Sequence, residues 1–321
     1  MLYPLKLKAA FKDYLWGGTR LRDEFNKQTD INPVAESWEL SCHHDGQSII
    51  ENGSYTGKTL NDYIETESKS VIGTKAANKK DFPILIKFID AKQSLSVQVH
   101  PDDNYALLNE GESGKTEMWY VMDAEPNSTL IYGFTKNISH QEFAKRIHDN
   151  TLLEVCNQVP IKKGDVFFIE AGTLHAIGAG ALIAEIQQSS NSTYRVYDYG
   201  RIGKDGKPRQ LHIEKALAVT KLQPPTRKPE AIAKLSCFTD YDLTILAQCD
   251  LFNVSHFHLH GNCNLNAAKD SFHSILVLDG EMALTCNADS FTVKKGDSLF
   301  IPANMGEYIL NGTGEFILTT L

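Results

Sequence analysis

The residues best suited to a chemical role are two polar side chains two positions apart, Gln98 and His100. Successive side chains of a β-strand point to opposite faces, so this spacing places both on one face. A second histidine, His175, follows a segment of the form G-D-x-x-x-I-x-A. The glycine of that segment permits a positive φ, and its aspartate can hydrogen-bond the turn backbone. Because imidazole nitrogens and amide oxygens can bind metals, the pattern predicts a metal site whose ligands come from two strands.

The segment that leads to His175 resembles the second motif of the cupin barrels, with Glu170 where that family usually has proline. Cupins carry an earlier motif with two ligands two apart and a carboxylate further on, which implies Gln98, His100 and then Glu117. Two imidazoles, one carboxylate and one amide suit Zn²⁺ with positions left for water or substrate. The alternative is that both histidines are ordinary core or surface residues, but their joint spacing favours the metal.

Six ordered segments extend this likeness over essentially the whole chain. They are 13–18 (DYLWGG), 36–41 (ESWELS), 95–102 (LSVQVHPD), 115–120 (KTEMWY), 172–178 (GTLHAIG) and 185–198 (EIQQSSNSTYRVYD). Together they resemble the type I mannose-6-phosphate isomerase family in its short bacterial form. The resemblance implies a zinc-dependent interconversion of mannose 6-phosphate and fructose 6-phosphate, a step of mannose metabolism. It also implies one Zn²⁺ per chain at Gln98, His100, Glu117 and His175.

Such a reaction moves a proton between C1 and C2 through an enediol, so it needs an acid–base group and cations for the developing anion. By resemblance, Glu185 and Arg195 are active-site residues. Arg195 suits the substrate anion or the enediolate, because guanidinium groups bind oxyanions in bidentate fashion. Glu185 is the candidate acid–base group, with a metal-bound water or hydroxide as its rival. A further alternative is that Glu185 only orients a metal ligand.

Other polar residues lie close to these ligands along the chain. Lys115 precedes the carboxylate ligand by two residues, so it shares its strand face, where it can reach substrate. Ser96 shares the face of the two strand ligands by the same alternation. Lys87 interrupts the apolar run 84–89, where an unpaired ammonium would be costly. The resemblance implies that Ser96 and Lys87 contact phosphate and that Trp16 also binds substrate. A solvated Lys115 and a structural Ser96 are the alternatives.

The elements that position these residues are mostly short apolar runs bounded by turn residues, which predicts a mainly-β chain. Residues 162–171 recur 132 positions later, and residues 119–125 are echoed 156 positions later. The prediction is therefore two cupin (jelly-roll) barrels, with helical insertions in the N-terminal half. Helices are expected at 59–72, 102–110, 139–148 and 213–220. The expected organisation is a catalytic metal-binding cupin domain over 1–221, a linker over 222–234 and a degenerate cupin domain over 235–321.

The second copy departs from the first at the ligand positions. Glu307 stands in the place of His175, and His273 stands in the place of Glu117. The second copy is therefore expected to brace the first. His256, His258 and His260 alternate on one strand face without an accompanying ligand motif, so they are predicted to have structural or surface roles. His43, His44 and His148 also lack ligand spacing and are predicted to be exposed.

Composition bounds the possible partners and compartment. The 321 residues carry a formal net charge of -8, which argues against nucleic acid and anionic membranes as partners. The six cysteines are scattered, without any C-x-x-C pair, so buried free thiols, a cytoplasmic location and a monomer or weak homo-oligomer are expected. Two other functions stay open, a cupin oxygenase or oxidase holding Fe or Mn and a non-catalytic sugar-binding cupin.

Overall fold

The computed structural model of the chain describes residues 2–203, 206–233, 235–287 and 289–321. The predicted domain and linker ranges also include Met1, Lys204, Asp205, Lys234 and Ala288, which lie outside the described residues. The described residues form 21 strands, five α-helices and four 3₁₀ helices, so the chain is mainly β, as predicted.

The strands are β1 (Leu5–Lys8), β2 (Ala10–Lys12), β3 (Glu36–Leu40), β4 (Ile49–Ile50), β5 (Ile84–Ala91), β6 (Val97–Val99), β7 (Glu117–Ala124), β8 (Thr129–Phe134), β9 (Cys156–Pro160), β10 (Val166–Ile169), β11 (His175–Ile177), β12 (Ala181–Gln188), β13 (Tyr194–Tyr197), β14 (Ser236–Cys237), β15 (Tyr241–Gln248), β16 (Asn253–Leu259), β17 (Asn262–Ala267), β18 (His273–Cys286), β19 (Asp289–Lys294), β20 (Ser298–Ile301) and β21 (Gly306–Thr320). The helices are α1 (Arg20–Phe25), α2 (Leu60–Glu67), α3 (Asp103–Asn109), α4 (His140–His148) and α5 (Ile213–Val219), and the 3₁₀ helices are Gly53–Tyr55, Lys69–Ile72, Thr74–Ala76 and Leu152–Glu154.

Each of the four stretches with helical spacing contains a helix, and side-chain caps explain where several begin. Thr59 caps α2 in a reciprocal capping box with Asp62. The hydroxyl of Ser139 accepts a 3.0 Å hydrogen bond from the N–H of Glu142 at the start of α4. Such caps satisfy backbone donors that the helix itself leaves free. Helix α2 ends early because Ser68 adopts φ 75°, a conformation that a helix cannot continue.

The strands lie in three sheets. One has six strands in the order β10-β7-β12-β5-β3-β2, and another has five in the order β13-β6-β11-β8-β9. The third has ten strands, with β14-β15-β16-β21-β18-β20-β1-β4 as its path and β17 and β19 paired to β21 and β18. Within the described residues none of these sheets closes on itself, so the structure shows mainly-β layers but not the two closed barrels that were expected.

The six-stranded and five-stranded sheets face each other across a shared core. In β12, Ile183 points into this core while Ile186 points away, towards the ten-stranded sheet. In the five-stranded sheet, Ile177 points into the same core, whereas Val97 packs outward in the cluster that contains residues of α4 and α5. Alternation therefore sends every second side chain of both sheets into one enclosed space.

The internal repeat has the same strand register in both copies. Phe167 of β10 pairs with Trp119 of β7, and Leu299 of β20 pairs with Ile275 of β18. These pairs are related by the offsets of 132 and 156 read from the sequence. The turns that precede β10 and β20 also match, with Gly164 at φ 91° and its counterpart at φ 89°. The echo in the sequence thus corresponds to a repeated local structure.

Two features cross between the halves of the chain. Strand β1 pairs with β20 and with β4, so N-terminal strands lie in the ten-stranded sheet. The buried ammonium of Lys27 donates to the carbonyl oxygen of Gly296 at 2.5 Å and to Glu39 at 2.7 Å. The first half of the chain is therefore joined to the second by backbone and side-chain bonds.

Two further observations concern thiols and hydropathy. All six cysteines, which lie in the described ranges, are free. The expectation that they are buried is wrong for Cys237, which is exposed because it lies on the two-residue edge strand β14. Across the described part of the chain, no helix combines the length and apolarity that crossing a bilayer requires.

Candidate metal centre and active site

The four predicted metal ligands come from both facing sheets. Gln98 lies in β6, and His175 of β11 is its register partner in the same sheet. His100 follows β6 directly, and Glu117 begins β7 of the opposite sheet. All four side chains point into the space between the sheets, because each lies at an inward position of the alternation. The structure thus brings the predicted ligands together.

Three of these ligands converge on one point. The Oε1 atom of Glu117 lies 3.3 Å from Nε2 of His100 and 3.2 Å from Nε2 of His175. All three side chains are almost fully buried. Oε1 of Glu117 lacks a hydrogen-bond partner among the described residues. A buried carboxylate oxygen without a donor is costly, so this arrangement favours a cation between the three atoms.

Backbone carbonyls set the tautomers of both imidazoles. The Nδ1–H of His100 donates to the carbonyl oxygen of Ser192 at 2.8 Å, and the Nδ1–H of His175 donates to that of Thr173 at 2.8 Å. With the proton on Nδ1, each Nε2 presents a lone pair to Glu117. Metal-binding histidines in proteins characteristically hold their second nitrogen in this way.

The electrostatics agree with a neutral imidazole beside a charged carboxylate. Burial, and then the positive charge of Lys115, lower the pKa of His100 to about 3. Burial opposes ionisation of Glu117, but the neighbouring Lys115 and His100 outweigh it and hold the pKa of Glu117 well below its usual range. The Lys115 ammonium lies 3.2 Å from Oε2 of Glu117 and 3.3 Å from Nε2 of His100.

Gln98 completes the group from the side of the cavity. Its Nε2 lies 3.4 Å from Nε2 of His175, and its Oε1 lies 3.5 Å from the hydroxyl of Ser96. The oxygen and nitrogen of a glutamine amide exchange places when the terminal bond rotates by half a turn. In that orientation the amide oxygen faces Nε2 of His175, where it can act as a fourth ligand.

Glu185 lies in a buried pair with a lysine, beside the ligands. Its Oε2 is 3.2 Å from the ammonium of Lys87, and its Oε1 accepts a 2.9 Å hydrogen bond from the indole of Trp119. Burial, and then the negative charge of Glu117, raise the pKa of Glu185 to about 7, although Lys87 opposes the shift. A carboxyl with such a pKa can both take up and release a proton near neutral pH.

The predicted substrate residues surround one cavity of about 270 Å³. Seven predicted site residues line it: Trp16, Lys87, Ser96, Gln98, Lys115, Glu185 and Arg195. The remaining three, His100, Glu117 and His175, contact this wall through Gln98 and Lys115. The structure therefore places all ten predicted residues around a single space large enough for a small molecule.

Lys87 lines the cavity with its ammonium between two carboxylates. Its Nζ lies between Glu185 at 3.2 Å and Glu36 at 3.5 Å, and it lies over the ring of Trp38 at 5.1 Å. Burial opposes its charge, but the two carboxylates prevail and raise its pKa. This pairing explains how a lysine is tolerated in the apolar strand β5.

Arg195 enters the cavity from β13. Its Nε donates to the hydroxyl of Ser96 at 3.2 Å, and its Nη1 donates to the carbonyl of Gln210 at 2.9 Å. Arg209 also lines the cavity and pairs with Asp198 through two hydrogen bonds of 2.7 and 2.5 Å. Burial, and then the charge of Arg209, lower the pKa of Arg195. One end of the cavity is therefore rich in guanidinium groups.

Sequence reasoning missed several residues of this cavity, which are Tyr14, Glu36, Asn191, Thr193 and Arg209. Tyr14 and Glu36 lie in the segments 13–18 and 36–41, whose motifs indicate the family but assign no role to these two side chains. Arg209 lies in a polar loop that carries no motif, so no local signal marked it.

The counterparts of the ligands in the second copy make ordinary contacts. His273, in the place of Glu117, lies 2.7 Å from the hydroxyl of Tyr308 through its Nδ1. His256 lies 3.4 Å from Glu315 and stacks on Tyr120. The prediction that His43 is exposed is wrong, because its ring is buried, whereas His44 is exposed as predicted.

Comparisons with known proteins identify the family to which the chain is similar. Residues 4–129 match the family model described as phosphomannose isomerase type I, catalytic domain, and residues 242–321 match that of the mannose-6-phosphate isomerase cupin domain. A probable mannose-6-phosphate isomerase, GmuF, of Bacillus subtilis is 38% identical over 323 residues, covering 99% of both chains. The mannose-6-phosphate isomerase ManA of the same organism is 37% identical, again over 99% of both chains.

A solved structure extends the likeness to three dimensions. The crystal structure of the mannose 6-phosphate isomerase from Bacillus subtilis superposes with a TM-score of 0.91 at 35% identity, covering 99% of both chains. The likeness in sequence spans the whole length of these relatives, and the likeness in fold is equally complete. The chain belongs to the type I phosphomannose isomerase family.

Proposed function

We propose that the chain interconverts mannose 6-phosphate and fructose 6-phosphate, with one Zn²⁺ held by Gln98, His100, Glu117 and His175. The observation that carries this proposal is the convergence of two imidazole lone pairs on Oε1 of Glu117, a buried carboxylate oxygen with no hydrogen-bond donor among the described residues. It lies at the wall of a cavity lined by cations and acids, in a chain whose full-length relatives are named mannose-6-phosphate isomerases.

The donor set fits zinc. Two imidazoles, one carboxylate and one amide oxygen are the borderline-to-hard ligands that Zn²⁺ accepts, and the set contains no thiolate of the kind found in closed structural sites. When bound, the ion would act as a Lewis acid that polarises the oxygens on the reacting carbons. The rest of the chemistry belongs to side chains of this chain.

Glu185 is proposed as the group that moves the proton. As a carboxylate it removes the proton from C2 of the aldose, which leaves an enediolate with its negative charge on O1. The hydroxyl proton then passes from O2 to O1, and Glu185, now a carboxylic acid, returns the first proton to C1 to give the ketose. Its raised pKa suits both roles. Trp119 and Lys87 hold its two oxygens in fixed positions, so the carboxyl needs little reorganisation between the two transfers.

The phosphate is proposed to lie at the guanidinium-rich end of the cavity. Arg195 and Arg209 supply charge there, and Ser96 supplies a hydroxyl that already contacts Arg195. Lys87, expected from the resemblance to contact phosphate, is better placed to orient Glu185, since it lies between two carboxylates. Lys115, beside the metal ligands, is proposed to stabilise the enediolate, and Trp16 forms an apolar part of the wall.

Finer features of the organisation are also proposed. The matching register of the two copies supports two cupin units, the first formed by the two facing sheets and the second within the ten-stranded sheet. Units at 1–221 and 235–321 with a linker at 222–234 remain predictions, as do the helical insertions. Six free thiols are typical of a reducing cytoplasm, and a monomer or weak homo-oligomer is proposed.

Metal analysis coupled to an isomerase assay tests the function. Purified protein should contain one zinc per chain and convert mannose 6-phosphate to fructose 6-phosphate. Gln98→Ala and His175→Ala should lose metal and activity together, whereas His258→Ala, on the surface of the ten-stranded sheet, should keep both. Zinc-replete protein without interconversion would overturn the function, and a Gln98→Ala variant with full metal would overturn the ligand set.

A further inference from the structure

We propose that Glu112 is a positioning residue for the metal ligand His100, although it lies outside the cavity. Hydrogen bonds connect the Glu112 carboxylate to the turn at residues 190–192, and a further hydrogen bond connects the Ser192 carbonyl to the imidazole of His100. This inference rests on the proposed metal centre, in which His100 is a ligand.

One carboxylate oxygen of Glu112 accepts hydrogen bonds from all three residues of the turn. Oε2 of Glu112 accepts hydrogen bonds from the hydroxyl of Ser190 at 3.2 Å, the backbone N–H of Asn191 at 3.3 Å and the hydroxyl of Ser192 at 3.1 Å. The backbone N–H of Ser192 also donates to the Ser190 hydroxyl at 3.2 Å. Hydrogen bonds to a charged acceptor are stronger than neutral ones, so this single carboxylate fixes three consecutive residues.

The other oxygen is held by His43. Nδ1 of His43 accepts a hydrogen bond from the backbone N–H of Asp45 at 3.1 Å, so the ring proton lies on Nε2. That Nε2 is 3.5 Å from Oε1 of Glu112, and Asp45 accepts a 2.8 Å bond from the side chain of Asn191. His43, His44 and Glu112 could form a metal group by distance alone. Because the His43 ring directs its Nε2 proton at the Glu112 carboxylate, this contact is better described as a hydrogen bond that holds the carboxylate beside the turn.

The turn needs such support because it connects β12 to β13 without a strand partner of its own. From the inner side, Nε2 of Gln187 donates to the carbonyl oxygen of Ser190 at 2.7 Å. The Ser192 carbonyl accepts from Nδ1 of His100 at 2.8 Å, which fixes both the tautomer and the ring plane. If the turn relaxes, His100 loses this acceptor and its Nε2 is no longer held towards Glu117.

Metal affinity is the measurement that separates this role from a general structural one. Glu112→Ala and Glu112→Gln would be compared with Glu110→Ala. Glu110 lies in the same loop and accepts bonds from the hydroxyl of Tyr194 at 2.7 Å and from Lys215 at 2.6 Å, neither of which belongs to the turn at residues 190–192. The zinc dissociation constant of each protein would be measured with a competing chelator. Thermal unfolding of each metal-free protein would report on general destabilisation.

We expect Glu112→Ala to weaken zinc binding by about 10- to 100-fold, as substitutions behind metal ligands do. Glu112→Gln should fall between it and the wild type, because it keeps an acceptor but loses the charge. Zinc binding by Glu112→Ala within about twofold of the wild type, or an equal loss in Glu110→Ala, would overturn the inference. If Glu112→Ala does not fold, unaltered affinity in Glu112→Gln overturns it instead. His100→Ala with full zinc would instead overturn the metal centre itself.

Discussion

The indole Nε1–H of Trp119 donates a 2.9 Å hydrogen bond to Oε1 of Glu185, and the two residues are register partners on neighbouring strands β7 and β12. A backbone register thus fixes the position of the proposed acid–base group. Because one oxygen faces a neutral donor and the other faces the ammonium of Lys87, the two oxygens are chemically distinct.

Replacing Glu185 by its isosteric amide should remove proton transfer while keeping the shape of the cavity. We expect Glu185→Gln to lower kcat by about 10²- to 10⁴-fold, the range typical of acid–base groups, with zinc content unchanged. Steady-state kinetics with mannose 6-phosphate and metal analysis would measure this. Glu36→Gln, on the other side of Lys87, is the matched variant and should lower kcat much less. Equal losses of kcat in the two variants would show that catalysis depends on the pairing of Lys87 with carboxylates and not on proton transfer by Glu185.

Removing Arg209 should weaken substrate binding more than it slows the chemical step. A charge-assisted hydrogen bond is worth about 1.5–3 kcal/mol, so Arg209→Gln should raise KM for mannose 6-phosphate roughly 10- to 100-fold. The inhibition constant for inorganic phosphate should rise in parallel. Arg146→Gln, on helix α4, provides the comparison. A lower kcat with unchanged phosphate inhibition would place the phosphate elsewhere.

Metal removal should destabilise the folded protein. Ions that bind only the native state stabilise it by RT ln(1 + [L]/Kd), about 2.7 kcal/mol at 100 times Kd. Adding zinc to chelator-treated protein should therefore raise Tm progressively with zinc concentration. Calorimetry of Glu117→Gln should show no such rise, because the charge that binds the ion is gone. A zinc-dependent rise of equal size in Glu117→Gln would contradict the site.

His273 should make stability sensitive to mild acid. Burial lowers the pKa of His273 from 6.5 to about 4, although Asp270 opposes the shift. The unfolded chain therefore takes up this proton first, and stability is lost as pH falls from about 6.5 to about 4. His273→Gln keeps a partner for the hydroxyl of Tyr308 but does not titrate. Urea unfolding between these pH values should show a shallower loss for the variant, and parallel curves would refute the assignment.

The repeated turn offers a matched pair of substitutions. Gly164 and Gly296 have φ 91° and 89°, where a side chain costs about 1–2 kcal/mol. A Cβ at Gly164 meets open space, whereas one at Gly296 overlaps the carbonyl oxygen of Phe25. Gly296→Ala should therefore lower the free energy of unfolding clearly more than Gly164→Ala. Chemical denaturation of both variants measures this, and equal losses would show that Phe25 moves aside.

Local rules predicted much of the fold and the site. Capped helices such as α2 and α4 follow from short-range hydrogen bonds, and the common face of Gln98 and His100 follows from strand alternation. The repeat predicted that β10 and β20 would pair alike, and they do. These features depend on residues close in sequence or on the internal repeat, and both are visible in the amino-acid sequence itself.

What could not be predicted depends on pairing between distant segments. Nothing in residues 5–8 indicates that they pair with β20, since a short alternating run fits many partners. The roles of Arg209 and Glu112 likewise arise only when loops from different parts of the chain meet. Closure of the two expected barrels is not seen among the described residues for a related reason: similarity to cupins predicts layers of strands, but edge pairing depends on tertiary detail.

The pairing of β1 with β20, with Leu5 opposite Phe300, has a consequence for how the protein is made. A ribosome that adds about 5–20 residues per second needs roughly 15–60 s between these two strands. During that time β1 can pair with β4 but not with β20. A product that ended between His175 and β20 would keep every proposed ligand, yet leave one edge of β1 unpaired. Pairing on both edges of β1 therefore requires that synthesis has passed Phe300.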